Sequence, residues 1–164
     1  MNRRNFIRNT LLTGAALAAT PLFVHAEGNS SLKNFDKWQL SDKQWRQRLN
    51  KAQYNIMRNA DTERAYSNSM EKNKQVGTYH CAGCDLAAYS SEHKFESGTG
   101  WPSFWQPIDK AFVETERDFK LIWPRTEVHC ARCGGHQGHV FNDGPEPTGL
   151  RYCLNSASII FKAA

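Results

Sequence analysis

The chain has 164 residues, 40% hydrophobic and 23% charged, with a formal net charge of +5. That is enough chain for one ordinary domain with a single core. Lys and Arg are interspersed with Asp and Glu instead of gathered into a basic stretch, which argues against nucleic-acid binding.

Residues 1–26 read as an export signal. Arg3, Arg4 and Arg8 accompany an uncharged, Leu- and Ala-rich stretch from Asn9 to His25, and the ending Val24-His25-Ala26 fits cleavage after Ala26. The apolar part is shorter than the ~20 residues of a membrane span, so no stable span is expected after cleavage. The Arg3-Arg4 pair with Phe6 two residues on points to the twin-arginine route and a periplasmic destination. An uncleaved anchor, or a general secretory signal with a chance Arg-Arg, is the alternative. Cleavage removes three Arg and no acid, so the mature charge falls to +2 and most of the basic balance belongs to the signal.

Residues 27–40 lack periodicity and read as a linker or ordered arm, leaving 41–164 as the domain. Ser41 with Gln44 three residues on forms a capping box, and Trp45 and Leu49 at i, i+4 spacing face a core. A second helix is predicted over Ala52–Asn59, with Tyr54, Ile56 and Met57 inward. From Val76 the texture changes to short apolar runs broken by Gly, Pro, Asn and Asp, the signature of strands and turns. Strands are predicted near Val76–His80, Ala111–Glu116, Lys120–Trp123, Glu127–His129, His139–Asn142 and Ser158–Lys162.

Five cysteines divide into Cys81 with Cys84, Cys130 with Cys133, and Cys153 alone. Two C-x-x-C knuckles have the spacing of a closed, four-thiolate structural zinc site, with no position left for substrate. Exported proteins more often spend cysteines on disulfides, but an odd count argues against a pure disulfide framework. Neither knuckle is followed by the helical pattern that a redox C-x-x-C requires. Each knuckle is expected to end its own hairpin, with the metal stapling distant parts of one sheet. Twin-arginine export moves folded proteins, which would let zinc bind before the thiolates meet an oxidising compartment.

Cys153 remains as candidate nucleophile. A lone cysteine is commonly a buried inert thiol, but Arg151, two residues away on the same strand face, would favour the thiolate and lower its pKa. The run Phe95 to Trp105 contains Ser97-Gly98-Thr99-Gly100-Trp101-Pro102-Ser103. Glycine-permitted bends and Pro102 could hold Trp101 as a rigid wall for a small apolar group, or simply pack a core turn. His136 and His139 are better read as general acids or hydrogen donors than as metal ligands, since four thiolates already fill one zinc. His80, His93 and His129 have no such context.

Taken together, these motifs resemble the methionine-R-sulfoxide reductase family of the B type. The run from Ser41 to the C-terminus carries C-x-x-C, Ser-Gly-Thr-Gly-Trp-Pro-Ser-Phe, a second C-x-x-C, and His-x-Gly-His-Val-Phe-x-Asp-Gly-Pro through Arg-Tyr-Cys-x-Asn-Ser. The resemblance implies a mainly β fold of two antiparallel sheets with short N-terminal helices and a Cys₄ zinc remote from the pocket. It implies Cys153 as nucleophile, Trp101 against the sulfoxide methyl, and His136, His139 and Asn155 around the sulfoxide oxygen. Arg151 would sit beside the thiolate, and Phe141 would complete the apolar wall. The implied substrate is methionine R-sulfoxide in proteins or peptides, acted on by a monomer. One departure matters: many family members carry a resolving cysteine where this chain has Thr99, so an external, thioredoxin-like thiol is expected to regenerate Cys153. A zinc-stapled β module that binds a partner through Trp101 and Trp105, and an exported thiol–disulfide oxidoreductase, are the competing readings.

Overall fold

The computed structural model describes residues 32, 35–118 and 124–164. The expected signal, part of the 27–40 segment and the strand expected at Lys120–Trp123 lie outside the described residues. Within 27–40, Phe35–Trp38 forms a 3₁₀ turn, and Trp38 and Leu40 pack against the core beneath the helices, so the described part is an ordered arm held by its apolar side chains.

Two short helices follow. In α1 (Asp42–Arg48) the Gln44 side chain accepts hydrogen bonds from the backbone N–H and hydroxyl of Ser41, at 2.9 and 2.7 Å, closing the first turn. In α2 (Lys51–Asn59) Asn50 and Gln53 cap each other reciprocally, and the helix ends at Ala60 in the left-handed region, with φ 50°. Trp45, Leu49, Tyr54, Ile56 and Met57 are buried as their spacing requires.

The remainder is β structure in two antiparallel sheets. The smaller holds β1 (Gly77–Cys81), β2 (Ala87–Ser90) and β9 (Ile159–Ala163) in the order β2-β1-β9. The larger holds β3 (Lys94–Phe95), β4 (Ser103–Phe104), β5 (Val113–Asp118), β6 (Arg125–Cys130), β7 (His136–Phe141) and β8 (Arg151–Leu154), ordered β3-β4-β8-β7-β6-β5. Tyr79, Tyr89, Phe104, Val128, Tyr152, Leu154 and Ile159 form one core cluster between them, where Tyr79 meets Phe104 edge-on at 5.0 Å. The five described strands expected from sequence are present with ends shifted by a few residues. The strands at 87–90, 94–95, 103–104 and 151–154 are not among those expected: each has four residues or fewer, too short for alternation to register.

The cysteine knuckles correct one expectation. Cys81–Cys84 closes the β1–β2 hairpin and Cys130–Cys133 the β6–β7 hairpin, so each does end its own hairpin. These hairpins belong to different sheets, and the four thiols therefore join the two sheets to each other instead of stapling one. Both helices pack on this junction, where Trp45, Leu49, Ile56 and Met57 share a core cluster with all four cysteines. Arg48 Nε donates to the Gly83 carbonyl at 2.5 Å and Arg58 Nη1 to the Cys133 carbonyl at 3.1 Å, one helix arginine for each knuckle.

Candidate active site

The four knuckle thiols are buried and unbridged, with all Sγ atoms within 4.8 Å of one another. Cys81 Sγ lies 3.6 Å from Cys133 Sγ, and Cys84 Sγ 3.5 Å from Cys130 Sγ. A tetrahedron built on Zn–S bonds of ~2.3 Å has edges of roughly 3.8 Å, whereas a disulfide would bring sulfurs to ~2.05 Å. The donor set therefore fits a tetrahedral metal ion. Hydrogen bonding among the thiols pushes Cys81 and Cys133 up and Cys130 down.

Cys153 lies apart from this cluster, at the centre of the larger sheet. On β8 it stands opposite Ser103 of β4 and His139 of β7, and cross-strand partners share a face. Arg151 pairs in the same way with Phe141, two residues along each strand, and so takes the same face. The opposite face sends Tyr152 and Leu154 into the core. Alternation thus assigns chemistry to one side of the strand and packing to the other.

β7 reaches its final form through a bulge. The register with β6 shifts at Gln137, and the extra residue turns His136 toward the same side as His139, with ring centroids 5.5 Å apart. Gly138 is required here, because a Cβ on it would lie 2.0 Å from the Cys153 carbonyl. Each histidine has a carboxylate partner: His136 Nδ1 meets Glu127 Oε1 at 2.7 Å, and His139 Nε2 meets Asp118 Oδ2 at 2.9 Å. Asp118 also accepts from Arg125 Nη2 at 2.6 Å. Burial pushes the His139 pKa below its ordinary value, and the Asp118 bond opposes that shift.

A cavity of about 80 Å³ opens over Cys153. Trp101 and Phe141 supply its aromatic surface, His139, Asn155 and Arg125 its polar groups, and Thr62 its rim. Pockets for drug-sized ligands occupy ~300–1,000 Å³, so this one suits the tip of a side chain. Trp101 is fixed by its indole N–H, which donates to the Glu63 carbonyl at 3.1 Å. Gly100, with φ +88°, makes the bend before it, and a Cβ there would strike Tyr66 at 2.7 Å. The Asn155 amide is held at both ends, accepting from Glu63 N–H at 3.0 Å and donating to the Gln137 carbonyl at 3.1 Å.

Of the residues singled out from sequence, Cys153, Trp101, His139, Phe141 and Asn155 line this cavity together; His136 and Arg151 do not. Arg151 makes a bidentate pair with Asp143, at 2.8 Å to each oxygen, and its guanidinium covers the Phe141 ring at 4.4 Å. Its charge does pull the Cys153 pKa down, but burial outweighs it and the thiol rests above its ordinary value. The expected lowering is therefore corrected: desolvation of the sulfur, which no local motif reports, dominates. Trp105 packs against His93 at 4.5 Å and does not line the cavity with Trp101. Asp118, Arg125, Glu127, Thr62 and Glu63 escape the sequence reading. Alternation through Arg125-Thr126-Glu127-Val128 could have put Arg125 and Glu127 opposite buried Val128, but the partner of His139 has no local signal.

The SelR domain model matches residues 49–163, which include the knuckles and every residue of the cavity. The peptide methionine sulfoxide reductase MsrB of Leptospira interrogans is 51% identical over 122 residues, covering 74% of this chain and 93% of the relative. That of Bradyrhizobium diazoefficiens is 52% identical over 124 residues, 76% of this chain and 89% of the relative. The chloroplastic peptide methionine sulfoxide reductase B1 of rice is 52% identical over 124 residues, covering 75% of this chain and 58% of its own longer one. By a matched domain that spans most of its length and relatives at about half identity, the chain belongs to the MsrB family of peptide methionine sulfoxide reductases.

Proposed function

We propose that this protein reduces methionine R-sulfoxide to methionine through Cys153. The observation that carries the reading is the convergence of Cys153, Trp101, Phe141, His139 and Asn155 on one cavity sized for a side-chain tip, in a chain of this family. The aromatic pair receives the S-methyl group and the polar side receives the oxygen. Only one epimer can then place its sulfur in line with the thiol.

The proton accounting follows from the pKa directions. Cys153 rests as a thiol and His139 as a neutral imidazole, because burial disfavours both charged forms. Asp118 accepts from Nε2–H of His139, which leaves Nδ1 as the nitrogen able to take a proton. His139 takes the Cys153 proton as the sulfur attacks and returns it to the sulfoxide oxygen as the S–O bond breaks. Oxygen passes to Cys153, the sulfoxide is reduced by two electrons, and the thiol becomes a sulfenic acid. An external thiol then forms a mixed disulfide with Cys153 and releases water, and a second thiol frees the enzyme. Thioredoxin-like proteins supply such a pair.

Cys81, Cys84, Cys130 and Cys133 would hold zinc, whose part is to lock the two sheets together. Export by the twin-arginine route would place the enzyme among oxidised periplasmic proteins. Among the described residues no helix is long and apolar enough to cross a membrane. A binding module built on Trp101 and Trp105 is not favoured, since Trp105 packs on His93 and only Trp101 lines the cavity, together with Cys153. Single-turnover reduction of separated R and S epimers tests the reading: the R epimer alone should yield stoichiometric methionine, and turnover of neither would overturn it.

A further inference from the structure

Asn155 occupies the N-cap of the 3₁₀ turn Ser156–Ser158 but makes no side-chain capping bond. Its amide is directed instead to Glu63 N–H, to the Gln137 carbonyl and to the cavity. The first two N–H groups of the turn would then be left without the acceptor that an N-cap side chain normally supplies. Glu63, 92 residues earlier in the chain, fills the vacancy: its Oε1 accepts from Ser156 N–H at 2.6 Å and its Oε2 from Ala157 N–H at 3.2 Å. The backbone of the same residue makes the two bonds already described, its carbonyl to the Trp101 indole and its N–H to Asn155 Oδ1.

We infer that Glu63 is a positioning residue for the sulfoxide pocket: by capping the turn in place of Asn155, it frees that amide for the cavity and fixes Trp101 relative to the Cys153 strand. The geometry makes this a single device. Trp101 and Asn155 lie just beyond the β4–β8 pairing, whose last bond runs from Leu154 N–H to the Pro102 carbonyl at 2.9 Å, so the backbone holds the two chains together there while the indole and the amide take their own hold from Glu63. The carboxylate anchors Glu63 to the chain just past Cys153, and its carbonyl then holds the indole at a set distance from the sulfur. Losing the carboxylate leaves the Ala157 N–H, the second of the turn and within reach of an N-cap side chain, to recruit Asn155, and that pulls the amide out of the cavity. Methyl wall and oxygen side would be displaced together.

This inference rests on the sulfoxide reductase reading, and the test separates the two. Steady-state kinetics with R-sulfoxide peptide are measured for the zinc-loaded wild type, Glu63→Ala, Glu63→Gln, Trp101→Phe and Glu63→Ala/Trp101→Phe. Iodoacetamide modification of Cys153 and zinc content serve as controls. The expected result is a loss of kcat/KM in Glu63→Ala of roughly 10- to 100-fold, the scale of a misplaced reacting group, with Cys153 alkylation and zinc unchanged. Glu63→Gln keeps one acceptor oxygen and should fall between. Trp101→Phe has no N–H to give Glu63, so the further loss on adding Glu63→Ala should shrink by at least half. Wild-type kinetics in Glu63→Ala, or an equal fold-loss in both backgrounds, would overturn the inference; if Glu63→Ala does not fold, the same comparison made with Glu63→Gln decides it. Wild type that turns over neither epimer would instead remove the reading beneath it.

Discussion

The hydroxyl Oγ1 of Thr99 stands 3.9 Å from the Sγ of Cys153, and on its other side it meets Ser97 Oγ at 2.8 Å, which in turn meets Ser103 Oγ at 2.7 Å. The group that this loop turns toward the sulfur is thus a hydroxyl at the end of a hydroxyl chain, where a second thiol could have captured a sulfenic acid. The other four cysteines are grouped together in a buried cluster. One equivalent of R-sulfoxide should leave Cys153 as a sulfenic acid that a trapping reagent labels stoichiometrically, with no internal disulfide in the intact mass. Thr99→Cys should instead yield an internal disulfide after one turnover, since closing 3.9 Å to a bond needs only a small shift of a glycine-flanked loop. A disulfide between Cys153 and a knuckle cysteine in the wild type, with metal released, would contradict the division of the cysteines.

Thr99 also bears on the thiol's acidity. Burial raises the Cys153 pKa above 9.0, and the Thr99 hydroxyl is the largest influence in the other direction. Alkylation of the free enzyme at Cys153 should therefore rise with pH to a midpoint above that of an ordinary thiol. Thr99→Val should move the midpoint higher still, because it removes a hydrogen bond to the thiolate and adds apolar surface. A midpoint at or below the free-thiol value would show that the Thr99 hydroxyl and Arg151 together prevail over desolvation.

The pair formed by His139 and Asp118 should appear in the pH–rate profile. If neutral His139 takes the thiol proton, kcat/KM rises with pH through the His139 pKa, and this acid limb lies below the ordinary imidazole value of 6.5. Asp118 raises that pKa, so Asp118→Asn should shift the limb to lower pH and slow the chemical step. His139→Ala should cost about 10²-fold or more in kcat, and His136→Ala less, because His136 does not line the cavity. An acid limb unmoved in Asp118→Asn would break the link between the two residues.

Substitution at the knuckles should affect stability before chemistry. Replacing any of Cys81, Cys84, Cys130 or Cys133 with Ala should release the metal and destabilise the fold, since binding of a structural zinc, about 10–16 kcal/mol in small peptides, is folding energy. Cys153→Ser, by contrast, should keep its zinc and its melting temperature while losing all sulfoxide reduction. Elemental analysis and thermal denaturation of the two sets provide the check. A metal-free knuckle variant of full stability would remove the staple.

Much of this site is legible in the sequence because its parts are local. Each C-x-x-C is one turn, Ser97 to Phe104 is one loop, and Arg151 with Cys153 is one strand alternation, so short-range spacing is enough to single out the thiols, Trp101 and the histidines as candidates, while the family resemblance supplies the roles expected of them. The helices are equally legible, since Ser41 with Gln44, and Trp45 with Leu49, are contacts within one or two turns. What only the tertiary structure decides depends on residues far apart in the chain. Asp118 meets His139, Glu63 caps the turn after Asn155, and the knuckles of two different sheets share one cluster. The Cys153 pKa belongs with these, because desolvation is summed over everything packed around the sulfur, whereas the neighbouring Arg151 is a single charge already engaged by Asp143. Spacing along a chain specifies which groups share a turn or a face; packing specifies which faces meet, and with them the acidity of what is buried between.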